Sequence, residues 1–125
     1  MILVDTSIWI DQLRGSDPAL MTHVNDLLAA DRVLGHPFVY GELLMGDDGT
    51  HADFFTTYEQ LPQAVIVPHG ELVTFVLERR LGRRGLDWID VHLLATTLVR
   101  HARLWTADDA LQQAATALGI SYQIG

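Results

Sequence analysis

Cysteine is absent from this 125-residue chain. No disulfide can staple it and no thiolate can hold a soft metal, which fits a cytoplasmic protein. Lysine is absent too: all eight basic residues are arginine, so no ammonium is available to grip a transferred phosphate. No apolar run approaches the roughly 18 residues of a membrane span. The N-terminus starts directly with strand-like sequence, without a positively charged, apolar, cleavable leader. No glycine-rich loop sits between a strand and a helix to cradle a phosphate. The six histidines, His23, His36, His51, His69, His92 and His101, include no His-x-x-x-His or Glu-x-x-His pair. Positive charge is scarce: eight basic residues against sixteen acidic ones leave −8. That is an adverse balance for a nucleic-acid binder judged by charge alone, although carboxylates that neutralise a bound metal count for less.

What is present indicates one folded domain over residues 1–125, since 49% of the residues are hydrophobic and no linker, repeat or low-complexity stretch interrupts them. Short apolar segments alternate with helical patterns. Strands are expected at Met1–Val4, Arg32–Gly35, Ala64–Val67, Arg103–Trp105 and Tyr122–Ile124. Helices are expected at Ser7–Arg14, from Pro18 after the cap Asp17, and over Pro37–Met45. Further helices run from Phe54 to Leu61, over His69–Arg84, over Val91–Ala102 and over Asp109–Leu118. Alternation of this kind predicts an α/β fold: a parallel sheet of four to five strands with helices on both faces.

Four acids sit where an apolar segment ends or within a short helix. Asp5 closes Ile2-Leu3-Val4, Glu42 lies in Pro37–Met45, Asp90 opens the apolar helix, and Asp108 follows Leu104-Trp105. Residues just past strand C-termini gather at one edge of an α/β sheet, where ligands bind. Carboxylates gathered there repel one another unless a metal neutralises them. Each acid also has a purely local reading. Asp5 and Asp90 suit helix N-caps, Glu42 a solvated helix face, and Asp108 and Asp109 the positive end of a helix dipole. Thr106 and Asp109 resemble a capping pair at N-cap and N3, so the choice between Asp108 and Asp109 for the fourth acid stays open. His92, two positions beyond Asp90, reads as structural. Arg79, Arg80, Arg83 and Arg84 concentrate half of the basic charge around Gly82 and Gly85. They read either as a solvated helix end or as phosphate contacts beside the acids.

Read in order, Ile2-Leu3-Val4-Asp5-Thr6-Ser7-Ile8-Trp9, Glu42-Leu43-Leu44 with Gly46, Gly85-Leu86-Asp87-Trp88-Ile89-Asp90-Val91-His92-Leu93-Leu94-Ala95 and Leu104-Trp105-Thr106-Ala107-Asp108 cover nearly the whole chain. Together they resemble the PIN-domain ribonucleases, and among them the VapC toxins of bacterial VapBC toxin–antitoxin pairs. The resemblance implies that Asp5, Glu42, Asp90 and Asp108 form an acidic site around one or two Mg²⁺ or Mn²⁺ ions. Asp5, Asp90 and Glu42 would hold the principal ion, with Thr6, Ser7 and Thr106 as supporting hydroxyls. It implies cleavage of RNA and inhibition by a partner antitoxin, with a homodimer and a hetero-oligomer expected. Hard carboxylate donors without cysteine agree with Mg²⁺ or Mn²⁺. Two other classes fit less of the chain: an aspartyl-phosphate phosphoryl-transfer enzyme, which would want a lysine, and a non-catalytic α/β binding module.

Overall fold

Ile2–Val4 forms the central strand β1, and all three side chains are buried. A strand covered on both faces reads as a continuous apolar run, as this one does. In the computed structural model, which describes residues 1–124, β1 pairs in parallel with β2 (Val33–Leu34) on one side and β3 (Arg103–Trp105) on the other. The order is β2-β1-β3. Ile2 is in register with Val33 and Arg103, and Val4 with Trp105. All three strands therefore run the same way, and the residues that follow them, Asp5, Gly35 and Thr106, emerge at one edge.

Seven helices flank this sheet among the described residues: α1 (Thr6–Arg14), α2 (Pro18–Ala29), α3 (Pro37–Met45), α4 (Ala52–Glu59), α5 (His69–Arg79), α6 (Trp88–Val99) and α7 (Asp109–Ala117). α1 packs on α2 and α3, and α3 on α4; α6 packs on β3, α5 and α7. Gly15, in the left-handed conformation at φ 68°, stops α1. Asp17 caps α2 by accepting the Leu20 N–H at 3.1 Å, ahead of Pro18. Trp9 anchors the α1 side: it is buried, its indole N–H donates to the Val4 carbonyl at 3.1 Å, and Phe54 and Tyr58 meet it edge-on. α6 is the buried helix, with every residue from Val91 to Thr97 inside. Its two threonines are matched, the Thr97 hydroxyl donating to the Leu93 carbonyl at 2.7 Å and the Thr96 hydroxyl lying 3.4 Å from His36 Nε2, whereas the buried His92 Nδ1 meets no hydrogen-bond partner among the described residues.

Four expectations need correction. The sheet has three strands, not four to five. Ala64–Val67 and Tyr122–Ile124 shrink to single parallel bridges, Gly35 to Gln63 and Leu104 to Ser121. Val65 and Ile66 face solvent, and among the described residues the first segment makes a single ladder bond, from the Ala64 N–H to the Gly35 carbonyl at 2.8 Å, between the flanking Pro62 and Pro68. α5 ends at Arg79, not Arg84, because Arg80 turns left-handed at φ 53° and lets Leu81 bury. α6 begins at Trp88, two residues before Asp90. Finally, α7 is capped by Asp108 rather than by Thr106, with Asp109 as its first helical residue.

Candidate active site

Asp5 leaves β1 and enters α1 at the N-cap position, yet its carboxylate makes no cap bond. It is buried, and Oδ2 accepts from the Ser7 hydroxyl at 2.8 Å and the Thr106 hydroxyl at 2.7 Å. The same hydroxyls stitch the two strand ends together. Ser7 Oγ accepts the Ala107 N–H at 3.0 Å, and Thr106 Oγ1 accepts the Asp108 N–H at 3.1 Å. Hydrogen bonds to charged groups contribute about 1.5–3 kcal/mol each, so this lacing fixes Asp5 and Asp108 relative to each other.

Glu42 is carried by α3, which His36 and Pro37 start. His36 is wholly buried, and its Nδ1 accepts the Phe38 N–H at 3.0 Å. Burial, then the nearby His92, pulls the His36 pKa down to about 4, so the ring stays neutral and can cap the helix. One turn on, Glu42 Oε1 accepts the Thr6 hydroxyl at 2.8 Å. Burial pushes its pKa up, the Thr6 bond opposes that, and the charges of Asp5 and Asp87 add to the rise.

Asp90 is not a cap but the third residue of α6, locked reciprocally to the cap Asp87. The Asp90 N–H donates to Asp87 Oδ1 at 2.8 Å, and the Asp87 N–H to Asp90 Oδ2 at 3.0 Å. The Asp90 pKa is pushed up to about 6, first by burial; the Asp87 N–H opposes the rise, and the charges of Asp87, Asp5 and Asp108 add to it. Asp108 caps α7, with Oδ1 accepting the Leu111 N–H at 2.9 Å. Asp109 is exposed in the first turn and takes part in none of these contacts.

The four acids that the sequence singles out are thus near enough to perturb one another, and each is held the same way. One oxygen is occupied: Asp5 Oδ2, Glu42 Oε1, Asp90 Oδ2 and Asp108 Oδ1. None of the described hydrogen bonds uses the other oxygen. No arginine or histidine forms an ion pair with any of them; among the described residues the only such pairs join His51 to Asp47 and Asp48. A raised Asp90 and Glu42, oxygen donors alone and no internal counter-charge fit a hard divalent cation. The acids ring the sheet edge rather than closing on one point: no trio of them brings ligand atoms within 4.8 Å of one another. Asp47, Asp48 and His51 do meet that spacing on the loop after α3. There His51 Nδ1 lies 2.8 Å from Asp47 Oδ1, so the trio is already hydrogen-bonded internally.

Two residues of this neighbourhood escape a reading of the sequence for acids. Asp87 acts on both Glu42 and Asp90, and its signal is the i, i+3 spacing to Asp90 at a helix start. His36 caps α3, and its signal is a polar residue directly before a proline at the first helical position. His92 packs edge-on against Phe38 and Trp88, at centroid distances of 4.8 and 5.7 Å. Arg79, Arg80, Arg83 and Arg84 are all exposed. The turn that bears them is tied to the acid edge at Gly85, where φ is 77° and an added Cβ would sit 3.3 Å from the Ala110 Cβ in the first turn of α7. In the binding-module reading the acids are only caps and surface charge. That accounts for Asp108, but not for Asp5, buried with a carboxylate that caps nothing, or for Glu42, half-buried and bonded to the Thr6 hydroxyl rather than solvated.

Comparison with known proteins adds an independent line. The family model described as PIN domain matches residues 2–117. Two relatives, both called Ribonuclease VapC32, come from Mycobacterium tuberculosis strains CDC 1551 / Oshkosh and ATCC 25618 / H37Rv. Each is 39% identical over 122 residues, spanning 97% of this chain and 95% of the relative.

Proposed function

Because this chain belongs to the PIN-domain family and to its VapC branch, we propose that it is a Mg²⁺- or Mn²⁺-dependent endoribonuclease, the toxin of a toxin–antitoxin pair, acting as one domain over residues 1–125. The observation that carries the metal site is the shared arrangement of the acids. Each of Asp5, Glu42, Asp90 and Asp108 has one oxygen held by a local donor and one free of any described hydrogen bond, with no cation of the protein paired to it.

In this reading Asp5, Asp90 and Glu42 hold the principal ion or a water bound to it, which suits acids that ring the sheet edge without closing on one point, and Asp108 completes the site or favours a second ion. When bound, such an ion neutralises the phosphodiester, lowers the pKa of an attacking water and stabilises the leaving oxygen. The protein's own contribution is positioning. Ser7 and Thr106 hold Asp5, Thr6 holds Glu42 and the Asp87 N–H holds Asp90, so one oxygen of each carboxylate is fixed without a metal to align it. The reaction so assisted needs no covalent nucleophile from the protein, and with no lysine the chain has no side-chain ammonium to serve a phosphoryl-aspartate. RNA as substrate follows the name of the relatives. A protein antitoxin that shields the acid edge follows from the VapC likeness, as does a homodimer. The arginines of the turn after α5 would touch flanking phosphates.

The test is cleavage of RNA by the purified chain. Activity should vanish with EDTA and return with Mn²⁺ or Mg²⁺. Asp5→Asn should be inactive, yet folded by circular dichroism. An Asp5→Asn protein that still cleaves with metal present, or a wild type indifferent to chelation, would sink the metal assignment.

A further inference from the structure

The arginine that meets the acid site is not one of the clustered four. Arg14 is the last residue of α1, exposed, and forms no hydrogen bond or ion pair among the described residues. It is not needed to finish the helix: the Gly15 N–H already reaches the Asp11 and Gln12 carbonyls, both at 3.2 Å. Two clefts share Ile10 and Arg14 as a common wall. One, of about 390 Å³, extends to Glu42, Asp47 and His51. The other, of about 340 Å³, extends to Ser7, Ala107 and Asp108. Arg14 therefore stands at the junction of two clefts, each of which ends on a different acid of the site. None of Arg79, Arg80, Arg83 and Arg84 lines either cleft.

We propose that Arg14 forms a phosphate-binding subsite that seats a non-scissile phosphodiester of single-stranded RNA beside the acids. The proposal rests on the endoribonuclease reading above. A chain of net charge −8 repels a polyanion, and most strongly where its carboxylates gather, so a strand crossing that edge needs a local cation. A guanidinium offers a planar fork of donors that matches a phosphate. An arginine with no partner among the described residues delivers that fork without first breaking an ion pair. Such a contact is made equally in the ground and transition states, so it belongs in KM rather than kcat.

The experiment compares wild type with Arg14→Ala, Arg14→Lys and Arg32→Ala, the last at the opposite edge of the sheet. The probe is a randomised single-stranded RNA pool, read by cleavage kinetics with Mn²⁺ and by anisotropy over a salt series. Arg14→Ala should raise KM about tenfold with kcat within about twofold. Its salt slope should fall by about 0.7, the loss of one phosphate contact. Arg14→Lys should restore the slope but only part of the KM, because a point charge replaces a fork. Arg32→Ala should change neither.

An unchanged KM and slope in Arg14→Ala, with wild type cleaving normally, overturns the subsite and leaves the function standing. A drop in kcat alone overturns it as well, and a wild type that cleaves no RNA overturns both. A labelled polyglutamate peptide runs in parallel. If Arg14→Ala weakens peptide binding and leaves RNA untouched, the guanidinium serves an acidic protein partner and the proposal falls.

Discussion

Replacing Asp90 by asparagine should stabilise the metal-free protein at neutral pH while destroying its response to metal. Burial and the charges of Asp87, Asp5 and Asp108 lift the Asp90 pKa from 3.8 to about 6. A carboxyl raised in this way favours the folded state only while protonated. Its stabilising contribution is complete below about pH 4, and is lost as pH rises through about 6. Two pKa units correspond at face value to about 3 kcal/mol. Asp90 is only half-buried and water screens its neighbours, so about 1 kcal/mol is the reasonable size. Asparagine keeps an acceptor for the Asp87 N–H, which lies 3.0 Å from Asp90 Oδ2, so the capping box survives. Urea midpoints in EDTA should therefore coincide for wild type and Asp90→Asn near pH 4. By about pH 7.5 they should differ by about 1 kcal/mol in favour of the variant. Added Mn²⁺ should reverse the order, since binding to the native state stabilises wild type as RT ln(1 + [L]/Kd) and the variant has lost a ligand. A variant less stable than wild type in EDTA at neutral pH, or a difference that does not move with pH, would refute the strained-carboxylate argument.

Asp108→Asn should lose cleavage but keep stability, because asparagine caps a helix as well as aspartate does, whereas Asp108→Ala should also cost about 1 kcal/mol. Asp109→Asn, altering an exposed first-turn charge, should cost less than about 1 kcal/mol and leave cleavage rates intact; loss of activity there with Asp108→Asn active would reassign the fourth acid. Thr106→Val removes the donor to Asp5 and the acceptor for the Asp108 N–H, and should cost about 1–3 kcal/mol in a urea titration together with most of the activity; Thr106→Ser should recover both. Asp87→Asn should keep the α6 cap and the melting temperature while weakening Mn²⁺ binding in a titration, and an unchanged affinity would remove Asp87 from the site's electrostatics.

The parts of this molecule legible in its sequence are those fixed by local pattern. Ile2-Leu3-Val4 followed by Asp5 reads as a buried strand delivering an acid to an edge, and Pro37–Met45 carries Glu42 as the periodicity suggests. Less legible is whatever depends on a boundary. Trp88 is 45% exposed and follows a glycine-bearing loop, so the first turn of α6 looks like coil, and moving its start to Asp90 hides the role of Asp87. Val65 and Ile66 invite a strand by composition, but without ladder partners they lie in solvent. Least legible are contacts across the chain. The bonds from Ser7 to Ala107 and from Thr106 to Asp5 span about a hundred residues, and the exposure of Arg14 to two clefts exists only after α1, α3 and β3 have come together.

For a carboxylate, a local role and a site role are usually weighed as alternatives, and the sequence alone offers no means of combining them. A carboxylate has two oxygens, so in the proposed site Asp90 and Asp108 can serve both roles. Each spends one oxygen on a backbone N–H at the start of a helix and leaves the other uncommitted. Asp5 and Glu42 follow the same division with hydroxyl donors. The helix starts bring further order, because N–H donors at those turns favour negative charge and partly offset the repulsion among the acids. Stability and site geometry are therefore coupled through single residues. A substitution that keeps the bonded oxygen and removes only the charge separates the two, which is why asparagine at positions 90 and 108 is more informative than alanine.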